Sequence, residues 1–362
     1  MEQSFAAMYL KWENQVIGTI SPSYEVTFSE SAFNQVVSSY THGKRFWNRA
    51  KFMEFLAERI VSRDRRDIER ILFRCGLSQY NTLEIAKITK AMHPKDLLWI
   101  TENPDENMED AFNKSFDKVF RKHLDTEGQS PINSPEGFNI KRYGVHDGKY
   151  GIYKKRIGPL LTDAESEVAV YHLAKRLGIG CCPVSRIDKD TVFSTFLYDF
   201  SKEYIVHFRR LFPGPRGENE YENLLNMRPQ YKEEIIKMLL LDFITRQDDR
   251  HLSNIAIKIN PAGEQFYPLY DNGRSLFYED TEETVESAVQ DIPGFSTTFG
   301  MSGTYFDHIQ DIIRQGEHPA QFIDLSITDD EIAGILRSAD FRGYRLEGAM
   351  QWICGCVRLL KE

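Results

Sequence analysis

Arg246-Gln-Asp-Asp249-Arg-His-Leu-Ser-Asn254, followed by Tyr270-Asp271-Asn-Gly273, is the stretch on which the reading of this chain turns. Phosphoryl transfer needs an Asp that accepts or orients the attacking hydroxyl. It also needs an Asn a few residues on and a second Asp one hairpin later, to hold the Mg²⁺ that bridges the phosphates. Asp249 and Asn254 lie five residues apart, just after a strongly apolar segment from Tyr231 to Arg246 that reads as a buried helix. That is the separation of base and metal-binding Asn in an HRDxxxxN loop. Asp271 follows a strand-like run and precedes Asn-Gly, where a turn aims its carboxylate back at the same metal. Hard oxygen ligands of this kind suit Mg²⁺ rather than zinc. Asp248 competes with Asp249 for the role of base, but only Asp249 gives the five-residue step to Asn254.

The same chemistry asks for an upstream Lys at the phosphates and a Glu to hold that Lys. Phe138–Tyr143 and Lys149–Lys155 alternate in polarity around His146-Asp147-Gly148, a hairpin whose Asp-Gly supplies positive-φ turn residues. Lys154 ends its second strand, on the face of Ile152 and Tyr150. Thr162-Asp-Ala-Glu165 has capping-box spacing, and an apolar stripe from Val168 to Leu177 stops at Gly178. Glu167 falls in the first turns of that helix, within reach of a strand Lys. The loop Ser130–Gly137 would cover the phosphates, which brings Ser134 and Gly137 to the nucleotide. Gly128, Gly137 and Gly144 do not spell GxGxxG. Each piece has a plainer reading: a charged loop, a chance DxxxxN, an ordinary YDNG turn, a solvated hairpin edge at Lys154-Lys-Arg156. Order decides between them. Strand Lys, helix Glu, helix–loop Asp-to-Asn and strand-ending Asp follow one another as in a two-lobed kinase.

Around this centre, the first ~20 residues read as a hairpin, with Tyr9, Lys11 and Glu13 alternating with Leu10 and Trp12. From about Ser29 to His93 the period is helical, and Asn81-Thr-Leu-Glu84 has the spacing of a helix start. A short helix is expected around Met108–Leu124, strands at Val184–Ile187 and Val192–Leu197, and a second hairpin from Asn254–Lys258 and Phe266–Tyr270. Helices follow near Tyr305–Arg314, Thr328–Ser338 and Tyr344–Leu360. The expected architecture is α+β and protein-kinase-like, with a small β-rich N-lobe carrying one helix and a mostly helical C-lobe. A hairpin-plus-helices region precedes it, and the expected boundaries are 1–110, 111–205 and 206–362.

At ~150 residues per domain, 362 residues allow two to three domains. Apolar (41%) and charged (27%) fractions are those of an ordinary globular protein. A formal charge of -9 argues against a duplex binder and against adhesion to an anionic membrane. No apolar stretch approaches the ~20 residues that span a bilayer. The N-terminus, MEQSFAAMYLKWENQ, does not read as a secretion signal. Five cysteines, with Cys181–Cys182 adjacent and Cys354 and Cys356 one residue apart, fit neither a zinc knuckle nor a disulfide framework. The chain reads as reduced and cytosolic. A local basic excess from Lys44 to Arg70 is either a patch for nucleic acid or a partner, or a solvated helix face laced with Glu54, Glu58, Asp64, Asp67 and Glu69; the second is expected.

Asp249-Arg-His-Leu-Ser-Asn254 with Asp271-Asn-Gly273, preceded by Leu239-Leu-Leu-Asp-Phe-Ile-Thr-Arg246, resembles the HipA-like serine/threonine kinases. So does Glu167-Val-Ala-Val-Tyr-His-Leu-Ala-Lys-Arg-Leu-Gly178-Ile, and Asp96-Leu-Leu-Trp99-Ile looks like a stretch upstream of the kinase unit in single-chain relatives. The resemblance covers roughly Asp96 to Gly300. It implies an ATP- and Mg²⁺-dependent kinase acting on a protein Ser or Thr, in trans or on itself, and it allows an antitoxin-like or DNA-bound partner. It implies Asp249 as catalytic base, Asn254 and Asp271 as Mg²⁺ ligands, Lys154 as the ATP-contacting lysine, and a regulatory serine at Ser130 or Ser134. The chain departs from kinases at Asn-Gly after the metal Asp, where many have Phe-Gly. His251 is a second choice, bracing the loop by hydrogen bonding or packing in the core.

Phosphoinositide kinases share the Asp-Arg-His-x-x-Asn spelling, so a lipid substrate is the nearest rival. After Arg274 come Glu279, Asp280, Glu282, Glu283, Glu286 and Asp291, with no Lys or Arg before Gly300. A loop here holds six carboxylates against one guanidinium: it is either a solvated acidic loop with no substrate role or a substrate-facing one, which would repel an anionic headgroup and favour a basic protein. A pseudokinase-like binding module ranks lower, because every key polar group is present. No helix-turn-helix or aromatic–basic interleaving supports direct nucleic-acid binding.

Overall fold

The structure, a computed structural model, describes residues 7–30, 41, 44–65, 67–93, 96–112, 141–199, 203–211, 220–260, 262–296 and 303–362. The chain divides into two compact units. One comprises Met1–Lys154, Tyr198–Val206 and Lys258–Gly263; the other comprises Lys155–Leu197, His207–Ile257 and Glu264–Glu362.

In the first unit the expected N-terminal hairpin forms from β1 (Met8–Trp12) and β2 (Gln15–Ile20). It is the middle of a larger antiparallel sheet, with β3 (Val26–Phe28), β4 (Phe46–Trp47) and β5 (Leu98–Thr101) in the order β4-β3-β2-β1-β5. Strands of three and two residues are too short to show a period of two. β5 finds β1 only through the tertiary fold. Helices α1 (Arg49–Ala57), α2 (Ile68–Arg74) and α3 (Thr82–Thr89) supply the expected helical stretch. Asn81 caps α3 by accepting from the backbone N–H groups of Leu83 and Glu84. Phe52, Phe55 and Leu56 of α1 are buried, as are Trp47 and Trp99. Two of the basic residues between Lys44 and Arg70 are internal. Arg59 forks onto Asp96 at 2.6 and 2.7 Å, and Arg65 pairs with Asp67 and donates to the Lys141 carbonyl. They belong neither to a solvated face nor to a surface patch. After α4 (Met108–Phe112), the hairpin β6 (Lys141–His146) and β7 (Lys149–Lys155) turns through Asp147 and Gly148, both at positive φ as Asp-Gly predicts.

The second unit begins with α5 (Asp163–Leu177), which ends at Gly178 in the left-handed conformation. The expected capping box is not made. The Thr162 hydroxyl turns to the Tyr278 carbonyl and Glu165 pairs with Arg156, so both side chains serve tertiary ties instead. β8 (Val184–Arg186) and β9 (Thr191–Thr195) pair antiparallel. Strand β10 (Tyr204–His207) belongs to the first unit up to Val206, and α6 (Phe208–Leu211) and α7 (Glu220–Met227) follow in the second. Helix α8 (Lys232–Ile244) is the buried helix expected from its apolar run. β11 (Ala256–Asn260) and β12 (Gly263–Phe266) follow. The second of these lies earlier than the Phe266–Tyr270 expected from sequence, because Pro268 has no N–H for a ladder; only an isolated bridge joins Leu269 to Cys181. Glu282–Gln290, read as an acidic loop, is helix α9: Thr281 caps it, and Glu282 and Glu283 in its first turn favour the dipole. Helices α10 (Tyr305–Arg314), α11 (Asp329–Ser338, with the expected Thr328–Glu331 capping box) and α12 (Gly343–Leu359) complete the unit. α8 packs against α10 and α12, and Trp352 donates to the Phe243 carbonyl. Among the described residues, no helix is long and apolar enough to cross a membrane.

Candidate active site

The segment from α8 to Ser275 owes its shape to one ion pair. Asp242 lies on α8 among eight buried apolar side chains, each contributing about 1.5–3 kcal/mol by burial. A carboxylate there must be compensated. Burial raises its pKa, and Arg250 opposes the rise. Arg250, 1% exposed, forks onto Asp242 through Nε (2.9 Å) and Nη2 (2.8 Å). Its remaining donors reach the Tyr270 carbonyl (3.1 Å) and Asn272 Oδ1 (2.8 Å). One guanidinium thus joins the helix, the loop after it and the Asp271 turn.

Gln247 makes a second tie. Arg246, at φ 49°, turns the chain out of α8 and leaves Gln247 buried. Its Oε1 accepts from the Asp249 N–H at 3.0 Å, and its Nε2 donates to the Asp271 carbonyl at 3.4 Å. The Asp249 carbonyl in turn accepts from Asn254 Nδ2 at 3.0 Å. Asp249 is therefore fixed at both backbone groups, while its carboxylate stays 40% exposed. Asn254 is buried with its amide nitrogen committed, so Oδ1 is the atom it has for a cation. His251 is exposed, and its Nδ1 accepts from the Ser253 N–H to cap the single turn Leu252–Asn254. Of its two expected uses, bracing the loop is the one seen.

Asp271 sits at φ 60°, a conformation Asp tolerates better than most residues. The Asn272 amide donates to Cys181 Sγ at 3.5 Å. Glu167 is buried on α5 beside this turn: a β-carbon on Gly273 would stand 3.5 Å from Glu167 Oε1. The Ser166 hydroxyl fastens α5 to the Ser275 carbonyl at 2.7 Å. Asp249, His251, Asn254, Asp271 and Glu167 all belong to the second unit, and Lys154, on β7, to the first. Ser134 and Gly137, like Ser130, lie outside the described residues. Among the described residues, no three His, Cys, Asp or Glu side chains converge as a metal site. An amide oxygen from Asn254 and a carboxylate from Asp271 nevertheless suit Mg²⁺, which takes one or two carboxylates and fills its shell with phosphate oxygens and water.

The electrostatics centre on Arg274, which bridges Asp248, Asp249 and Glu279. Burial pushes the Asp248 carboxyl up to about 6; Arg274 pulls it down and Asp249 pushes it up. Burial likewise raises Asp163 to about 6, against its hydrogen bonds from the Ile157 N–H. Both values exceed the unfolded carboxyl value of about 3.9, so stability from these groups is present below ~pH 4 and lost as pH rises through 6. A variant carrying Asp163→Asn and Asp248→Asn should gain thermal stability relative to wild type between ~pH 4 and 7. Parallel melting curves across that range would contradict it.

Three residues that shape the site were missed from sequence: Asp242, Gln247 and Asn272. Asp242 was findable as the lone charge in Leu239-Leu-Leu-Asp-Phe-Ile, which must have a partner. Gln247 and Asn272 carry no signal that precedes the fold.

A β-sheet N-terminal region followed by a helical C-terminal part is the architecture of a HipA-like kinase fold. Two solved structures share it. The chain is similar to HipA of Shewanella oneidensis MR-1, from a complex of the toxin–antitoxin proteins HipA and HipB with operator DNA. The TM-score is 0.53 at 13% identity, covering 97% of each chain. It is also similar to CtkA, a proinflammatory kinase of Helicobacter pylori, with TM-score 0.50 at 15% identity over 64% of this chain and 90% of that one. No protein-family model matches the chain, and no curated protein matches it.

Proposed function

We propose that this chain is an ATP- and Mg²⁺-dependent phosphotransferase, a HipA-like serine/threonine protein kinase acting in the cytoplasm on a protein, in trans or on itself. The observation that carries the reading is the Gln247–Arg250 network, which fastens the backbones around Asp249, Asn254 and Asp271 to one another. Three residues from two separate segments are held in register by buried side chains. Packing alone does not require that. Asp249 orients the acceptor hydroxyl and takes its proton, Asn254 and Asp271 hold the metal, and His251 braces the loop between them. Lys154 positions the phosphates, Glu167 orients Lys154, and Ser134 and Gly137 serve the nucleotide. Mg²⁺, when bound, neutralises charge on the phosphate oxygens. The division at 1–110, 111–205 and 206–362 and an antitoxin-like protein partner belong to this proposal. Incubation with γ-labelled ATP and Mg²⁺, with the label located by mass spectrometry, tests it. Label on a Ser or Thr is expected; label on an inositol lipid would favour the lipid-kinase reading.

The acidic segment bears on the substrate. Asp280 is tied to Arg246 at 3.1 Å, whereas Glu282, Glu283 and Glu286 are exposed on α9. Reversing these three to Lys should slow phosphorylation of a basic protein on the order of tenfold at low salt, through lost steering. An unchanged rate across ionic strength would remove α9 from substrate choice.

A further inference from the structure

We propose that Arg274 meets the transferring phosphoryl group, as an arginine supplied in cis by the segment after the metal turn. This rests on the phosphotransfer reading above. The Arg274 guanidinium stands beside the base with poor partners: Nε is 3.3 Å from Asp248 Oδ1, Nη1 3.7 Å from Asp249 Oδ1 and Nη2 3.8 Å from Glu279 Oε1. Each is longer than the roughly 2.7–2.9 Å of a charge-assisted hydrogen bond, and Nε makes no hydrogen bond. Arg250 shows what a saturated arginine looks like here, with four donations between 2.8 and 3.1 Å. Arg274 is also 43% exposed, so its fork has room to turn. Its main chain is fixed, because the Asp248 N–H donates to the Arg274 carbonyl at 3.2 Å. The Tyr278 ring flanks the guanidinium at 5.3 Å.

The chemistry gives this arrangement a direction. A bond forms from the acceptor oxygen to the γ-phosphorus of ATP, and the bond from that phosphorus to the bridging oxygen breaks, its electron pair leaving on ADP. The hydroxyl proton passes to Asp249. As Asp249 takes the proton its charge disappears, while negative charge spreads over the phosphoryl oxygens. A guanidinium that starts on Asp249 therefore gains a better partner in the transition state than in the ground state, and only such gains accelerate the reaction. The planar fork of arginine matches phosphoryl oxygens two at a time.

Two measurements on Arg274→Ala and Arg274→Lys test this. One is the single-turnover rate of ATP consumption; the other is the affinity for Mg·ADP with and without aluminium fluoride, a mimic of the transferring group. Arg274→Ala should consume ATP about 10³-fold or more slowly. It should bind Mg·ADP within about twofold of wild type, yet lose the tightening by aluminium fluoride. Arg274→Lys, which keeps the charge without the fork, should recover only part of both. Wild-type rate and wild-type tightening in Arg274→Ala would overturn the inference. So would a slow variant that keeps the tightening, since Arg274 would then only position Asp249. A wild-type protein that consumes no ATP would overturn the phosphotransfer reading, and this inference with it.

Discussion

Asp249→Ala should lower γ-phosphate transfer by about 10²–10⁴-fold, the contribution of a positioned general base. Mg·ATP affinity should stay near that of wild type. The separation is expected because the groups that hold this residue are its backbone N–H and C=O, bonded to Gln247 and Asn254. Truncating the side chain leaves both bonds in place, and with them the Asn254 and Asp271 geometry. Among the described residues, the carboxylate's one ion pair is with Arg274, at 3.7 Å. Exposed pairs of that kind contribute about 0–1 kcal/mol, so stability should barely change. Single-turnover transfer and calorimetric titration of Mg·ATP separate the two quantities. Near-normal transfer in the variant would remove Asp249 from the chemistry.

Arg250→Met should cost roughly 3–5 kcal/mol of stability, the penalty for leaving a buried carboxylate without its partner. The Tyr270 carbonyl and Asn272 side chain lose a donor in the same step. Adding Asp242→Leu should recover much of the lost stability, because replacing both ions by apolar groups of similar volume is often near neutral. Transfer should remain low in the double variant, since nothing then ties the loop to the Asp271 turn through this position. A double-mutant cycle by chemical denaturation gives the coupling. A double variant as unstable as Arg250→Met would show that the Asp242 charge is not what the arginine is there to balance.

These two variants mark what was legible in the sequence. Asp249, Asn254 and Asp271 stand out as candidates because the proposed chemistry fixes local spacings, five residues on one loop and then a strand-ending turn; the backbone ties among them show only in the structure. Asp147-Gly148 and Thr328–Glu331 were legible for the same reason, each being settled within a few residues. What failed was non-local. β5 pairs with β1 from a distant part of the chain, and neither has a pattern that names its partner. Thr162 and Glu165 have the right spacing for a cap, but Tyr278 and Arg156 compete for them and win. Arg59 and Arg65 look like surface charges until Asp96 and Asp67 are seen beside them. Glu282–Gln290 looked like a loop because its charges were read before its cap.

The central claim is that the Asp249 loop and the Asp271 turn form one metal-dependent phosphotransfer site. Release of ADP from Mg·ATP in the presence of an acceptor tests it most directly. The claim predicts release by wild type that stops when the metal is chelated and falls by about 10²–10⁴-fold when Asp249 is replaced by Ala. A wild-type chain that binds Mg·ATP and releases no ADP would contradict it.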